Sequence, residues 1–218
     1  MRSQRIGGIA AIIEALIYVV LFVYYGAILV YPVADASAVV ELGFLSDNLF
    51  TLSVLNILGY VVFGIVLAVL VTALHERLQM VAPFFSKLTT VFGLVWVVLV
   101  IASGMIANIG LQSVVEIGTQ DPEGAMSILS AVNIVVEGLG GGNEIVGGIW
   151  VLCCSIIALK GKIFSKAIHY LGVAVGIEGI LTLYPLPIFT EIFGLTQILW
   201  FMAIGIAMLR YPLAGAKN

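Results

Sequence analysis

The chain has 218 residues, of which 62% are hydrophobic and 10% are charged, and its formal net charge is −3 at pH 7. A soluble domain is about 45–50% apolar and about 25% charged, so this composition excludes a soluble globule and indicates a polytopic membrane protein. Nucleic-acid binding is excluded because the sequence has no basic tract to neutralise phosphates. Common nucleotide-binding, zinc-protease and serine-hydrolase motifs are absent from the sequence, so we predict no cofactor, no metal ligand and no catalytic residue.

Six apolar segments of membrane-spanning length follow one another along the chain, since a helical span needs about 20 residues. The first segment is longer than the apolar region of a signal peptide, which is about 7–15 residues, so we predict a membrane anchor. All six prolines fall between or beyond the segments, as expected for helices, and Ser86, Asp121 and Ser165 are predicted N-caps. The predicted spans are residues 6–31, 49–74, 88–112, 125–159, 167–184 and 191–210.

The fourth segment is too long for one simple helix and is interrupted by Gly140, Gly141 and Gly142. We predict a short outer helix, a break near 140–143 and a second helix that begins at about Asn143. Non-helical backbone at membrane depth is tolerated where it is buried in protein or lines a water-filled cavity. The freed amides and the new helix N-terminus suit an anion or a carbonyl oxygen, which makes this break a candidate site. The alternative is that Asn143 or Glu144 simply caps the second helix.

The distribution of cations along the sequence predicts the orientation of the chain. Lys and Arg concentrate in cytoplasmic connections. With six spans, all nine cations fall on one side, and the other side carries acids without a cation. We therefore predict a single multi-pass transmembrane domain over residues 1–218, in the plasma or inner membrane, with both termini cytoplasmic.

The three spans that begin on the cytoplasmic side share a register. A cation lies six residues before a glycine in each, and the tripeptide Phe-Ser-Lys precedes two of them. The pairs are Arg2 and Gly8, Lys87 and Gly93, and Lys166 and Gly172. The predicted fold class is therefore an all-α, polytopic membrane helical bundle of six transmembrane helices, with three repeated helical hairpins as one interpretation. The other interpretation is chance matching between short apolar sequences.

Several polar residues lie inside the predicted spans. A charged residue there costs several kcal/mol, so each is a functional hypothesis. No Lys or Arg occupies the interior of a span, so we expect these acids to be protonated, hydrogen-bonded or facing water. At 1.5 Å per residue, Glu178 lies about 18 Å past Lys166, and Glu14 about 14 Å past Arg5. The predicted residues for binding a substrate or proton are Glu14, Asn143, Glu144, Glu178 and Gln197, with Gly140, Gly141 and Gly142 as helix-break backbone.

The C-terminal half resembles a known family on three runs of sequence. One run extends from Leu139 to Trp150, one from Gly172 to Pro185, and one from Phe193 to Phe201. They resemble motifs in an uncharacterised family of bacterial and archaeal six-helix integral membrane proteins of unknown function. The resemblance covers roughly residues 88–210. It implies a six-helix membrane fold and no established activity or catalytic residue.

Three functions are compatible with these features. The first is binding or translocation of a small solute or proton through an outward-facing polar cavity. The second is a non-catalytic accessory or scaffold subunit of a larger membrane complex, which the short loops favour. The third and weakest is an intramembrane lipid-modifying enzyme that uses glutamates with His75 or His169. The expected partners are the lipid bilayer and a small solute or proton, while a homo-oligomer or a membrane-complex partner stays open.

Overall fold

The computed structural model describes residues 2–141, 144–184 and 186–211. Within these ranges the chain is helical and contains no β-strand, which confirms the all-α prediction. The helices are α1 (Arg2–Val23), α2 (Ala38–Asp47), α3 (Leu49–Asn56), α4 (Phe63–Leu78), α5 (Pro83–Gly118), α6 (Pro122–Val136), α7 (Ile145–Lys160), α8 (Lys166–Leu181) and α9 (Pro187–Arg210).

Three π-helical turns interrupt the regular helices in the described part of the chain. The first, Tyr24–Ile28, continues α1. The second, Ile57–Val62, joins α3 to α4, so that Leu49–Leu78 is one helical stretch. The third, Glu137–Gly141, follows α6 and is kinked at Gly140, whose backbone is not helical. It covers the first two residues of the predicted break, and the other two lie outside the described residues. A π-helical turn inserts one extra residue per turn and is frequent at functional sites.

Among the described residues, five stretches are long and apolar enough to cross a membrane: Arg2–Ile28, Leu49–Leu78, Pro83–Gly118, Pro122–Lys160 and Ile188–Arg210. The fourth of these combines α6 and α7 and includes two residues outside the described ranges. Each of the five stretches overlaps one predicted span. The remaining predicted span, 167–184, corresponds to α8, which has 16 residues. At 1.5 Å per residue this helix is about 24 Å long, less than the about 30 Å of a typical hydrocarbon core.

Six helices form a closed ring in chain order. Around this ring α1 packs against α4, α4 against α5, α5 against α7, α7 against α8, α8 against α9, and α9 against α1. The helix order around the bundle does not follow from the spacing of residues within helices, so this arrangement is new information from the structure.

The centre of the ring is filled by a cycle of five aromatic side chains. The ring centroids of Phe63 and Trp96 are 5.8 Å apart, and those of Trp96 and Trp150 are 5.9 Å apart. Trp150 and Trp200 follow at 5.7 Å, and Phe201 closes the cycle back to Phe63 at 6.1 Å. Three of these pairs are edge-to-face and two are tilted. Edge-to-face aromatic pairs stabilise a core by more than the area they bury. The three tryptophans therefore act as packing residues.

The connections that carry cations meet at one end of the bundle, which we call the basic end. The side-chain amide of Gln4 donates to Ala73 O at 2.6 Å, and Arg77 Nε donates to Gln4 Oε1 at 2.8 Å. Arg77 also lies 4.4 Å above the ring of Phe164. These contacts join the start of α1, the end of α4 and the α7–α8 connection. The described cations at this end are Arg2, Arg5, Arg77, Lys87, Lys160, Lys162, Lys166 and Arg210, and Lys217 lies outside the described residues.

At the opposite end, α2 fills a segment for which the sequence predicts no helix. Leu42 of α2 packs with Val114 of α5 and Ala125 of α6 in a small second core. Because α5 has 36 residues and is about 54 Å long, it extends past a hydrocarbon core of about 30 Å. The end of α5 needs apolar partners there, and α2 and α6 supply them.

Candidate functional site

A cavity of about 300 Å³ lies between α1, the Leu49–Leu78 stretch, α5 and the turn after α6. Five aromatic side chains line it, and the only charged group among its described lining residues is the carboxyl group of Glu144. This volume is at the lower end of the range for small-molecule sites, about 300–1,000 Å³. We call it the tyrosine cavity, and its aromatic residues are Tyr18, Phe22, Tyr25, Tyr60 and Phe63.

Each of the three π-helical turns contributes to the tyrosine cavity. Tyr25 comes from the first turn, Gly59 and Tyr60 come from the second, and Gly140 comes from the third. The wider backbone of a π-helical turn shifts the side chains that follow it around the helix axis. The cavity thus forms where three separate helices depart from regular α-helical geometry.

Glu144 lies at one wall of the cavity and is held by two neighbouring helices. The indole Nε1 of Trp96 donates to Glu144 Oε2 at 2.7 Å. The backbone N–H of Glu144 donates to Thr182 Oγ1 at 2.9 Å, and this hydroxyl donates to Gly179 O at 2.7 Å. The side chain is partly exposed. Glu144 is therefore fixed in position, and its carboxyl group stays accessible from the cavity.

Gly140 is the one described residue of the break that has a left-handed backbone, with φ of 120°. A Cβ there would meet nothing within 4 Å, and the same is true of Gly138, whose φ is not positive. Glycine at position 140 is therefore required for the positive φ of the turn and not for close packing against a neighbour.

Replacing Gly140 with alanine is expected to destabilise the protein by about 1–2 kcal/mol, the cost of a left-handed conformation for a residue with a Cβ. Gly138→Ala is the matched control, because it adds the same methyl group to open space in the same turn. Thermal unfolding in detergent compares the two variants. Equal melting temperatures would contradict a special backbone role for Gly140.

Glu178 does not line the tyrosine cavity. It is partly exposed, and Thr196 Oγ1 of α9 donates to Glu178 Oε2 at 2.5 Å. This hydrogen bond links α8 to α9 at a position separate from the tyrosine cavity.

Glu14 and Gln197 are fully buried, on α1 and α9 respectively. Neither oxygen of Glu14 and neither polar atom of the Gln197 amide has a hydrogen-bond partner in the described structure. Both residues face the bundle interior, as intramembrane polar residues generally do. Neither lines the tyrosine cavity. The predicted binding residues therefore do not form a single site.

The remaining predicted positions belong to the break. Asn143 and Gly142 lie outside the described residues, and Gly141 is the last residue of the third π-helical turn. Of the predicted site residues, the structure brings Glu144 and Gly140 together in one cavity.

Sequence reasoning missed the tyrosines that face Glu144 across the cavity. Tyr25 fits the usual pattern of an interface anchor at a span end, and Tyr18 and Tyr60 lie in apolar runs without a distinguishing motif. The available signal was the concentration of tyrosines in the first two predicted spans, which hold five of the eight in the chain. Which face they occupy depends on the π-helical turns.

The two histidines are engaged at the basic end, away from Glu144. His75 Nδ1 is 2.8 Å from Ser86 Oγ, and His169 Nε2 donates to Ile163 O at 2.5 Å. In the part of the chain that is described, no three His, Cys, Asp or Glu side chains come together as a metal site. The acid–base pairing of a histidine with a glutamate therefore has no geometric support here.

The fold and the cavity define the class: an all-helical protein with several helices long and apolar enough to cross a membrane. No protein-family model, curated protein or solved structure matches the chain. The resemblance to an uncharacterised six-helix family stays a prediction.

Proposed function

We propose that this chain is an integral membrane protein that binds a small solute in the tyrosine cavity, with Glu144 as the polar anchor. The observation that carries the proposal is the meeting of two π-helical turns and the kinked turn at Gly140 around one carboxyl group in an aromatic cavity. Small-molecule sites are mostly apolar pockets with a few polar groups that fix the ligand, and this cavity has that composition.

The chemistry of the walls favours a small organic cation. Aromatic faces attract ammonium groups, and recognition of quaternary ammonium ligands by aromatic cages is the main functional use of this attraction. In its ionised form Glu144 adds an opposite charge, and no Lys or Arg is among the described lining residues to compete for it. A bound cation would also offset the cost of keeping a carboxylate away from water.

The test uses choline and 3,3-dimethylbutan-1-ol, which has nearly the same shape without the charge. We expect the purified protein in nanodiscs to bind choline more tightly than the alcohol by calorimetry. Glu144→Gln keeps an oxygen that accepts from Trp96 but removes the charge, so choline affinity should fall at least tenfold, in line with about 2–5 kcal/mol for a buried charge pair. Glu178→Gln is the matched control, because Glu178 lies outside the cavity. The affinity of this variant for choline should equal that of the wild type.

Two outcomes contradict this proposal. One is equal affinity for both probes, and the other is choline binding that survives in Glu144→Gln. A protein that binds neither probe and co-purifies with a fixed partner would favour the accessory-subunit function instead. Choline uptake into proteoliposomes, present in the wild type and lost in Glu144→Gln, would extend the proposal from binding to translocation.

We also propose the finer architecture: six transmembrane helices arranged as three hairpins. Two equivalent contacts support it. A Cβ on Gly93 would lie 2.7 Å from Trp150 Nε1, and a Cβ on Gly172 would lie 2.5 Å from Trp200 Nε1. Trp150 precedes Lys160 by ten residues, and Trp200 precedes Arg210 by ten. In the second and third hairpins, the glycine of the first helix thus faces the tryptophan of the second.

The orientation we propose puts the basic end and both termini in the cytoplasm, in a plasma or inner membrane. The support is the collection of the described cations at one end of the bundle. Short connections that carry Lys and Arg are retained on the cytoplasmic side during insertion. With this orientation the tyrosine cavity lies in the outer half of the bundle.

A further inference from the structure

A second and larger cavity, of about 800 Å³, lies at the basic end, where the end of α4, the α7–α8 connection and the end of α9 meet. Three cations line it: Arg77, Lys162 and Arg210. The described lining residues include no Asp or Glu to neutralise them. We call this cavity the basic pocket.

The polarity of the basic pocket changes along α9. Arg210 lies at the end of the helix, whereas Ala203 and Ile206 line the pocket farther into the bundle. Ala203 is seven residues before Arg210, which places it about 10 Å deeper along the helix. Ile206 is 38% exposed, so the deep part of the pocket offers an accessible apolar wall. The pocket is therefore basic at its mouth and apolar inside.

The cations are carried by a rigid framework. Arg77 donates to Gln4 Oε1 at 2.8 Å and to Tyr211 O at 2.5 Å. Lys162 and Phe164 have left-handed backbones, with φ of 52° and 56°, which residues with a Cβ rarely adopt. Between them, Ile163 N donates to Ala158 O at 3.0 Å. The α7–α8 connection thus holds Lys162 beside the pocket instead of leaving it on a free loop.

We propose that the basic pocket binds the phosphate of an acidic phospholipid headgroup, with an acyl chain along Ala203 and Ile206. Basic pockets between transmembrane helices on the cytoplasmic side are known to bind acidic headgroups. The charge of the mouth complements a phosphate, and the apolar wall complements a chain attached to it. A free phosphate ion would satisfy the mouth alone, so the apolar wall is what distinguishes the lipid from the ion.

The test is native mass spectrometry of the full chain with phosphatidylglycerol, compared with phosphatidylcholine of the same acyl chains. The wild type should retain phosphatidylglycerol selectively. The double variant Lys162→Gln with Arg210→Gln should weaken its binding at least tenfold, given the attraction of each cation near the surface for acidic lipid. The matched control is Arg5→Gln with Lys87→Gln, which removes one Lys and one Arg at the same end but outside the pocket. Its binding should stay close to the wild-type value.

A second variant tests the apolar wall without a change of charge. Ala203→Phe fills the deep part of the pocket, so it should weaken phosphatidylglycerol binding severalfold and leave inorganic phosphate binding unaltered. The proposal is overturned if the control pair loses as much lipid as the pocket pair, which would indicate bulk charge attraction. Inorganic phosphate that displaces phosphatidylglycerol at equal concentration would overturn it as well, since the site would then belong to the free ion.

Discussion

Replacing Gly148 with alanine is expected to force α7 and α8 apart and to lower the melting temperature of the bundle by several degrees. A Cβ on Gly148 would lie 2.8 Å from Gly176 O and 2.8 Å from the backbone N of Ile180. Both neighbours are backbone atoms, so no side chain can rotate away to make room. Overpacking a tight contact costs about 1–3 kcal/mol, which is about 2–4 °C for each kcal/mol in a chain of this size.

The control for this prediction is Gly43→Ala on α2. A Cβ there meets nothing within 4 Å, and alanine favours a helix over glycine by about 1 kcal/mol. This variant should therefore be as stable as the wild type or slightly more stable. Both variants replace glycine with alanine. The melting temperature should fall in Gly148→Ala and stay the same or rise in Gly43→Ala. If Gly148→Ala raised the melting temperature, the two helices would not approach as closely as described.

The glycine contact between α7 and α8 is also an example of what sequence can predict in a membrane bundle. Small residues in spans allow helices to approach closely, so Gly147, Gly148, Gly172 and Gly176 are candidates for helix contacts. The structure pairs Gly148 with Gly176, and the sequence does not specify that pairing. Glycine destabilises the interior of a helix, so repeated glycines within a span indicate a close contact with another helix.

Helix ends were predicted where a proline or a cap has a local mechanism. Asp121 accepts a hydrogen bond from Gly124 N at 3.0 Å, and Ser165 accepts from Ala167 N at 3.3 Å, so both predicted N-caps are confirmed. The prediction that Ser86 is an N-cap is wrong, because α5 begins at Pro83 and Ser86 lies within it. Pro83 is tolerated in the first turn, and the helix therefore starts earlier than the charge of Lys87 suggests.

The tyrosine cavity could not be predicted, for a reason specific to membrane proteins. Residues that face lipid are as apolar as those that face the core, so the pattern of a span does not reveal its inner face. Trp96 is buried, and its neighbour Val95 is 42% exposed, yet both are apolar. The bond from Trp96 to Glu144 joins residues 48 apart in the chain, and no local rule links them. Besides glycines at close helix contacts, polar residues mark an inner face, as Glu14 and Gln197 do.

Glu14→Met is expected to stabilise the bundle, in contrast to most changes at a fully buried position. The carboxyl group has no exposed surface and no hydrogen-bond partner among the described residues. An unsatisfied buried polar group costs about 1–3 kcal/mol, and methionine removes it at similar volume. We therefore expect the melting temperature to rise by about 2–12 °C, at about 2–4 °C for each kcal/mol.

Glu178→Met is the matched control, because it removes an intramembrane carboxyl group that does have a partner. This variant loses the hydrogen bond from Thr196 Oγ1 and should be no more stable than the wild type. Thermal melts of both variants in the same detergent measure the difference. A lower melting temperature for Glu14→Met would contradict the argument, since it would mean that the carboxyl group contributes to the stability of the bundle.

A stabilising result at Glu14 would bear directly on function. A bundle that becomes more stable without this acid must hold it for a reason other than folding, and buried acids in spans commonly serve proton or solute pathways. The Glu14→Met variant would then be expected to keep choline affinity, because Glu14 lies outside the tyrosine cavity, and to lose uptake into proteoliposomes. Retained affinity with lost uptake would separate binding at Glu144 from passage past Glu14.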